Sequence, residues 1–138
     1  MLRRLVYFVL LCPIALASQV RLEIEVLGVT SSKGSIQVAV YREESSFLKT
    51  EQVFKNTSSP AVVGTTRLIF EDLPKGEYAL AIFHDENGND ELDTNWMGIP
   101  KEPIGFSVAR LKTFGPPKFR ECIISLSENK VIQIPLED

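Results

Sequence analysis

The sequence predicts an all-β protein, an antiparallel β-sandwich of about seven strands with one long loop. Two observations carry this prediction. Short segments in which apolar and polar residues alternate recur between residues 20 and 136, separated by clusters of Gly, Pro, Asn and Ser. No long segment has the apolar spacing of a helix, and no internal repeat occurs. Alternation of period two gives each strand one face for the core and one for solvent, as a sandwich requires.

Residues 1–17 are predicted to be a signal peptide that is not part of the fold. Arg3 and Arg4 form a positive n-region, residues 5–16 are apolar apart from Pro13, and small residues precede a cleavage site after Ala17. The apolar run is too short to span a bilayer, which takes about 20 helical residues. We therefore expect an exported protein, periplasmic or extracellular, whose single domain is residues 18–138 and which has no membrane span after cleavage.

Charge and cysteine content narrow the classes of partner and of site. Because Arg3 and Arg4 lie in the predicted signal peptide, the mature chain has 13 basic and 18 acidic residues, a net charge of −5. Without a basic patch, nucleic acid is not an expected partner. The remaining cysteine, Cys122, lies in an apolar run and is predicted to be buried and unreactive. With no internal disulfide, the fold relies on its core for stability. We also expect the protein to be a monomer.

The strands follow from the alternation in order. Residues 20–26 place Val and Leu on one face, and the second strand follows a turn at residues 31–34. A short helical turn and an edge strand are expected within residues 43–64. Short connections predict that the next four strands form two hairpins. The predicted strands after the first are residues 35–42, 66–73, 77–84, 122–127 and 131–136, with hairpins around 73–77 and 128–130.

The long loop, residues 85–118, breaks this rhythm. It spans 34 residues and contains four glycines and four prolines. Loops of this length in compact domains are usually functional or disordered. Its apolar side chains, including Trp96, Ile99 and Phe106, favour burial, so the loop is predicted to pack over one end or face of the sandwich.

The segment HDENGNDELDTNW, residues 84–96, opens this loop and carries the candidate metal site. Calcium takes six to eight oxygen ligands, which acidic loops supply at alternate positions. The sixth position, usually glycine, is Asp90, which would adopt a left-handed conformation, and Leu92 would anchor the loop inward. The alternative is a solvated polar turn, because Asn-Gly and Asp favour turns. The candidate calcium ligands are Asp85, Asn87, Asn89, Glu91 (through its carbonyl) and Asp93.

Three segments of the chain resemble an exported bacterial family. They are VAVYREESSFL (38–48), LPKGEYALAIFHDENGNDELDTNWMGIPKEPIGFS (73–107) and FGPPKF (114–119), and the family is known as domain of unknown function 2141. The resemblance implies a β-sandwich with a transthyretin-like or immunoglobulin-like arrangement and no established catalytic activity. The chain departs from the family pattern at Asp90, where the family has glycine. It departs again at Val108 and Ala109, where the family has two asparagines after GFS.

The predicted function is a non-enzymatic binding module whose long loop binds calcium and presents a surface to an unknown protein or small-molecule partner. His84, the only histidine, is in phase with the core residues of its strand and is predicted to lie at the core edge, hydrogen-bonded to the backbone of the long loop. With no second histidine and no nucleophile motif, neither a catalytic site nor a zinc site is expected. The alternative function is a small-molecule carrier or an enzyme with an apolar pocket under residues 96–106.

Overall fold

The computed structural model describes residues 18–138 and contains two β-sheets around a shared core. The predicted β-sandwich is confirmed, with eight strands where about seven were expected. The predicted signal peptide lies outside the described residues. The strands are β1 (Gln19–Val29), β2 (Ser35–Tyr41), β3 (Lys55–Pro60), β4 (Gly64–Pro74), β5 (Gly76–Asp85), β6 (Ile104–Phe106), β7 (Ile123–Leu126) and β8 (Lys130–Pro135).

The two sheets have three and five strands. The smaller sheet has the order β4-β1-β8, and the larger has β3-β2-β5 with β6 and β7 both on the free edge of β5. β7 pairs with residues 76–79 of β5, and β6 pairs with residues 81–83. All pairs are antiparallel except β1 with β8, which run parallel.

The core confirms the alternation read from the sequence. In β1, Leu22, Ile24 and Val26 are fully buried, while the residues between them are partly exposed. They belong to one apolar cluster with residues from the larger sheet such as Val38 and Leu80. Each such side chain contributes about 1.5–3 kcal/mol through its removal from water. Within residues 18–138, no helix has the length and apolarity needed to cross a membrane.

Both predicted hairpins are wrong, although the strands themselves exist. β4 and β5 are joined by a short connection, yet β4 pairs with β1 and β5 pairs with β2. β7 and β8 likewise lie in different sheets. In the second case the side-chain oxygen of Asn129 accepts the backbone N–H of Arg21 at 2.9 Å, which directs the turn toward β1. Short connections fix the distance between strand ends, but the partner is chosen by the core.

The ambiguous segment, residues 43–64, has the predicted order of elements. A single 3-10 turn spans Thr50–Gln52, and the edge strand β3 follows and pairs with β2.

The long loop also contains a strand that was not predicted, β6, whose three residues are all buried against β5.

Val108, which stands where the family pattern has asparagine, has a backbone conformation that suits asparagine better than valine. Its φ is +65°, in the left-handed region, and its side chain is 74% exposed. A β-branched residue is strained there, whereas asparagine, the residue of the family pattern, enters this region more readily.

We expect Val108→Asn to raise the free energy of unfolding by about 1 kcal/mol, because the strain is relieved without loss of a buried contact. Urea unfolding measures the change. Val131→Asn is the matched control, since Val131 is also exposed but lies in a strand, β8. If the two variants change stability by the same amount, the backbone of residue 108 carries no strain that asparagine relieves.

Candidate cation site in the acidic loop

The acidic loop, residues 85–93, starts where β5 ends. The buried carboxylate of Asp85 organises it. Asp85 is fully buried. Its Oδ1 accepts the backbone N–H groups of Gly88 at 2.9 Å and Asn89 at 3.2 Å. Its Oδ2 accepts the N–H of Asp90 at 2.9 Å. Hydrogen bonds to an ionised acceptor are the stronger kind, so three consecutive amides are turned toward one side chain.

The next turns of the loop are closed by asparagine side chains. The Oδ1 of Asn87 accepts the N–H of Asn89 at 3.1 Å, and the Oδ1 of Asn89 accepts the N–H of Glu91 at 3.0 Å. Asp90 adopts the left-handed conformation expected at the sixth position, with a φ of +61°. The Gln37 side chain of β2 donates to Asp90 at 3.0 Å and ties the loop to the sheet.

Asp93 receives the two asparagine amides. Asn89 donates from Nδ2 to Oδ1 of Asp93 at 3.0 Å, and Asn87 donates from Nδ2 to Oδ2. Three predicted ligands, Asn87, Asn89 and Asp93, are therefore in direct contact. The Asp85 side chain does not hydrogen-bond to these three side chains and is connected to them through backbone N–H groups that it accepts, such as that of Asp90. The exposed Glu91 donates its backbone N–H to the Asn89 side chain. Leu92 remains 38% exposed, so the expected inward anchor is not formed.

Glu102 is a member of the site that the sequence did not reveal. It is 7% exposed, and its two carboxylate oxygens accept the N–H of Glu86 at 3.1 Å and the N–H of Asp93 at 3.0 Å. One side chain thus joins the two ends of the acidic loop. The only signal in the sequence is a carboxylate between prolines in GIPKEPIGF, which no periodicity distinguishes from a surface residue.

An open cavity of about 300 Å³ lies beside these residues. Within residues 18–138, no three histidine, cysteine, aspartate or glutamate side chains converge closely enough to hold a metal ion. A cation bound here would therefore also need amide or carbonyl oxygens, which calcium accepts and zinc does not favour. The cavity is lined by Glu86, Asn87, Asp93, Thr94, Lys101 and Glu102.

His84 precedes the loop and is buried as predicted, but its ring contacts the backbone of the 31–34 turn and not that of the long loop. The ring is fully buried, and its Nε2 lies 2.7 Å from the backbone carbonyl oxygen of Lys33. Since a carbonyl oxygen only accepts, Nε2 is the donor in this contact. The other ring nitrogen, Nδ1, has no hydrogen-bond partner within the described chain and lies 3.8 Å from Oε1 of Glu86.

Residues 94–100 form a tight hairpin that exposes apolar side chains. The N–H of Asn95 donates to the carbonyl of Ile99 at 2.9 Å, and the Oδ1 of Asn95 accepts the N–H groups of Met97 and Ile99 at 2.9 and 3.0 Å. Trp96 is 91% exposed, Met97 58% and Ile99 52%. The expectation that these side chains are buried is wrong, because hydrogen bonds to Asn95 hold the turn without any contribution from side-chain burial.

Part of the remainder of the long loop packs around Cys122, as expected. Ile104 and Phe106 are buried in a second apolar cluster with this cysteine. Phe114, in contrast, is 96% exposed. Burial raises the pKa of the Cys122 thiol to about 11, and the neighbouring carboxylate of Glu121 adds to the shift. At neutral pH the sulfur is therefore a thiol, the unreactive form.

Comparison with known proteins gives one match. Residues 24–134 match the family described as "Uncharacterized protein conserved in bacteria (DUF2141)". No curated protein and no solved structure matches the chain. The family match includes both the acidic loop and the Trp96 hairpin, and it covers nearly all of the sequence. The chain therefore belongs to the DUF2141 family.

Proposed function

We propose that the protein is an exported, non-enzymatic binding module whose acidic loop takes up calcium and whose Trp96 hairpin presents an apolar surface to a partner. The observation that carries the proposal is the contact among Asn87, Asn89 and Asp93 in a loop folded around Asp85. Alternate residues of the chain thereby direct oxygen-bearing side chains to one place.

Each of these side chains has an oxygen lone pair left for a cation. The Oδ1 atoms of Asn87 and Asn89 accept one hydrogen bond each and have a second lone pair. The Asp93 side chain accepts two hydrogen bonds, and a carboxylate has about four acceptor positions. Calcium would displace the two amide N–H groups from Asp93 and turn the amide oxygens inward. Water and backbone carbonyls would complete its six to eight ligands.

The charge of the loop favours a cation. Residues 85–93 contain five carboxylates, and Glu102 adds a sixth, while Lys101 is the neighbouring base that lines the cavity. Like charges at short range destabilise one another unless they are solvated or neutralised. A divalent ion would remove part of this repulsion, so its binding would also stabilise the fold.

The same residues connect the loop to the apolar hairpin. The N–H of Lys101 donates to the carbonyl of Asp93 at 2.8 Å, and the Asp93 N–H donates to Glu102. A cation at Asp93 would therefore hold the base of the hairpin that carries Trp96 and Met97. Exposed aromatic and Met side chains on an ordered turn are typical of interaction surfaces. This geometry supports a calcium-stabilised contact surface.

Calcium titrated into chelator-treated protein is expected to raise the melting temperature and to shift the backbone amide signals of residues 87–93. A ligand that binds only the folded state stabilises it by about 2.7 kcal/mol at a hundredfold excess over Kd. Because Trp96 is 91% exposed, its emission is the less sensitive measure. Asp93→Asn should abolish both effects, since it removes the charge and preserves the size of the side chain.

Asp72→Asn is the matched control, because Asp72 is an exposed carboxylate paired with Lys55. It should leave the response to calcium unchanged. If millimolar calcium changes neither the melting temperature nor the amide signals of the unmodified protein, the loop is a solvated polar turn and the metal assignment is wrong.

The carrier alternative has less support. It requires an apolar cavity of roughly 300–1,000 Å³ beneath the hairpin. The cavity beside the acidic loop is lined by charged and polar side chains, and Trp96 and Ile99 point to solvent. These observations favour a surface that binds a partner.

A further inference from the structure

The Trp96 hairpin, residues 94–100, has a tip without charge. A bridge between Thr94 and Pro100 closes the hairpin, and no acidic or basic residue occurs between them. The three apolar side chains of the tip, those of Trp96, Met97 and Ile99, are all more than half exposed, Trp96 at 91%. Side chains with this exposure make little contact with the rest of the domain. The hairpin therefore projects an uncharged apolar tip into solvent.

The hairpin also pairs its own backbone donors. The N–H of Asn95 donates to the carbonyl of Ile99, and the N–H of Gly98 donates to the carbonyl of Asn95 at 3.0 Å. The Asn95 side-chain oxygen accepts the N–H groups of Met97 and Ile99. Four of the five N–H groups of residues 95–99 thus have an acceptor within the turn. Backbone donors that are already paired can leave water at a small cost, which an apolar environment requires.

These two features favour a lipid bilayer over a protein as the partner. A stable protein–protein interface buries about 800 Å² on each side through roughly 20–30 residues, with about ten direct hydrogen bonds. The hairpin offers three apolar side chains and few free donors. The boundary between lipid headgroups and acyl chains needs no matching surface, and it favours Trp beside other apolar side chains. We infer that the hairpin inserts Trp96, Met97 and Ile99 into the interface of a phospholipid membrane.

The charge at the foot of the hairpin selects the class of lipid. Asp93 and Glu102 line the cavity there, with Lys101 as the neighbouring base. Residues 85–91 add four further carboxylates. Anionic lipids repel this negative charge and zwitterionic lipids do not, so the hairpin should prefer phosphatidylcholine when calcium is absent. The hairpin is the contact surface of the proposed function, on which this inference rests, but insertion does not require the calcium site.

Phosphatidylcholine vesicles, added to the protein in the presence of chelator, provide the test. Co-sedimentation measures binding, and the emission of Trp96, the only tryptophan, reports on its surroundings. We expect the protein to sediment with the vesicles and its emission to shift to shorter wavelength. Brominated acyl chains should quench this emission. Vesicles that also contain phosphatidylglycerol should bind less protein, because of the carboxylates beside the hairpin.

Trp96→Ser should weaken vesicle binding about tenfold or more, since the largest inserted side chain is lost. Met97→Ser keeps the fluorescent reporter and should weaken binding by a smaller factor. Both side chains are exposed, so an unchanged melting temperature separates lost binding from misfolding. Phe114→Ser is the matched control, because Phe114 is an aromatic residue, 96% exposed, on a different turn. It should leave binding unchanged.

Three results would overturn the inference. The first is that phosphatidylcholine vesicles neither sediment the protein nor shift its emission. The second is that Phe114→Ser weakens binding as much as Trp96→Ser, which would mean adsorption through any exposed aromatic side chain. The third is a dimer in the analytical ultracentrifuge that Trp96→Ser dissociates, which would make the hairpin a protein contact. Because chelator is present throughout, a failed calcium titration leaves the vesicle test intact, and failed vesicle binding leaves the calcium proposal intact.

Discussion

The Gly34→Ala variant is expected to lose about 2–5 kcal/mol of its free energy of unfolding. Gly34 has a φ of +65°, and a Cβ atom there would lie 1.8 Å from the backbone oxygen of Asp85. The next residue, Ser35, pairs with Asp85 across β2 and β5, so the clash can be relieved only by moving the paired strands apart. Urea unfolding measures the loss, which is a large part of the 5–15 kcal/mol typical of a domain.

Gly64→Ala separates the clash from the conformational cost. Gly64 also has a left-handed φ, +93°, but no atom lies within 4 Å of its added Cβ. This control should lose only about 1–2 kcal/mol, the cost of a left-handed alanine. Equal losses in the two variants would mean that the 31–34 turn can move away from Asp85 without a cost in stability, and the expected clash would be wrong.

The strands could be predicted from the sequence because the period of the alternation is a local property. Leu22, Ile24 and Val26 share a face whichever strand lies beside them. Strand partners are not local. β4 pairs with β1 and not with the neighbouring β5, and β8 pairs with β1, more than 100 residues earlier in the chain. Two short connections were therefore read as hairpins that the fold does not contain.

The candidate site likewise contains residues that the sequence predicted and one that it could not predict. Asp85, Asn87 and Asp93 could be found because their spacing is local and repeats at alternate positions. Glu102 could not, because its hydrogen bonds to Glu86 and Asp93 depend on the path of the intervening hairpin. Hydrophobicity alone predicted burial for Trp96, and a set of hydrogen bonds to its neighbour Asn95 overrode that prediction.

In the absence of calcium, Asp85→Ala is expected to lower the free energy of unfolding by about 2–4 kcal/mol. The buried carboxylate accepts hydrogen bonds from three consecutive amides, those of Gly88, Asn89 and Asp90. Hydrogen bonds to charged groups contribute about 1.5–3 kcal/mol each, and water replaces part of this where the amides become exposed. Urea unfolding gives the global loss, and hydrogen exchange of the three amides shows whether the loop opens first.

Glu91→Ala is the matched control, since it removes one carboxylate from the same loop but an exposed one. Surface substitutions of this kind change stability by no more than about 0.5 kcal/mol. The amides of residues 88–90 should stay protected in this variant and exchange freely in Asp85→Ala. If the two variants behave alike, the loop is held by Glu102 and the asparagine turns, and Asp85 is only one of its many negative charges. If they differ as expected, Asp85 holds the loop together in the absence of any cation, and its hydrogen bonds to the three amides stabilise the loop independently of calcium.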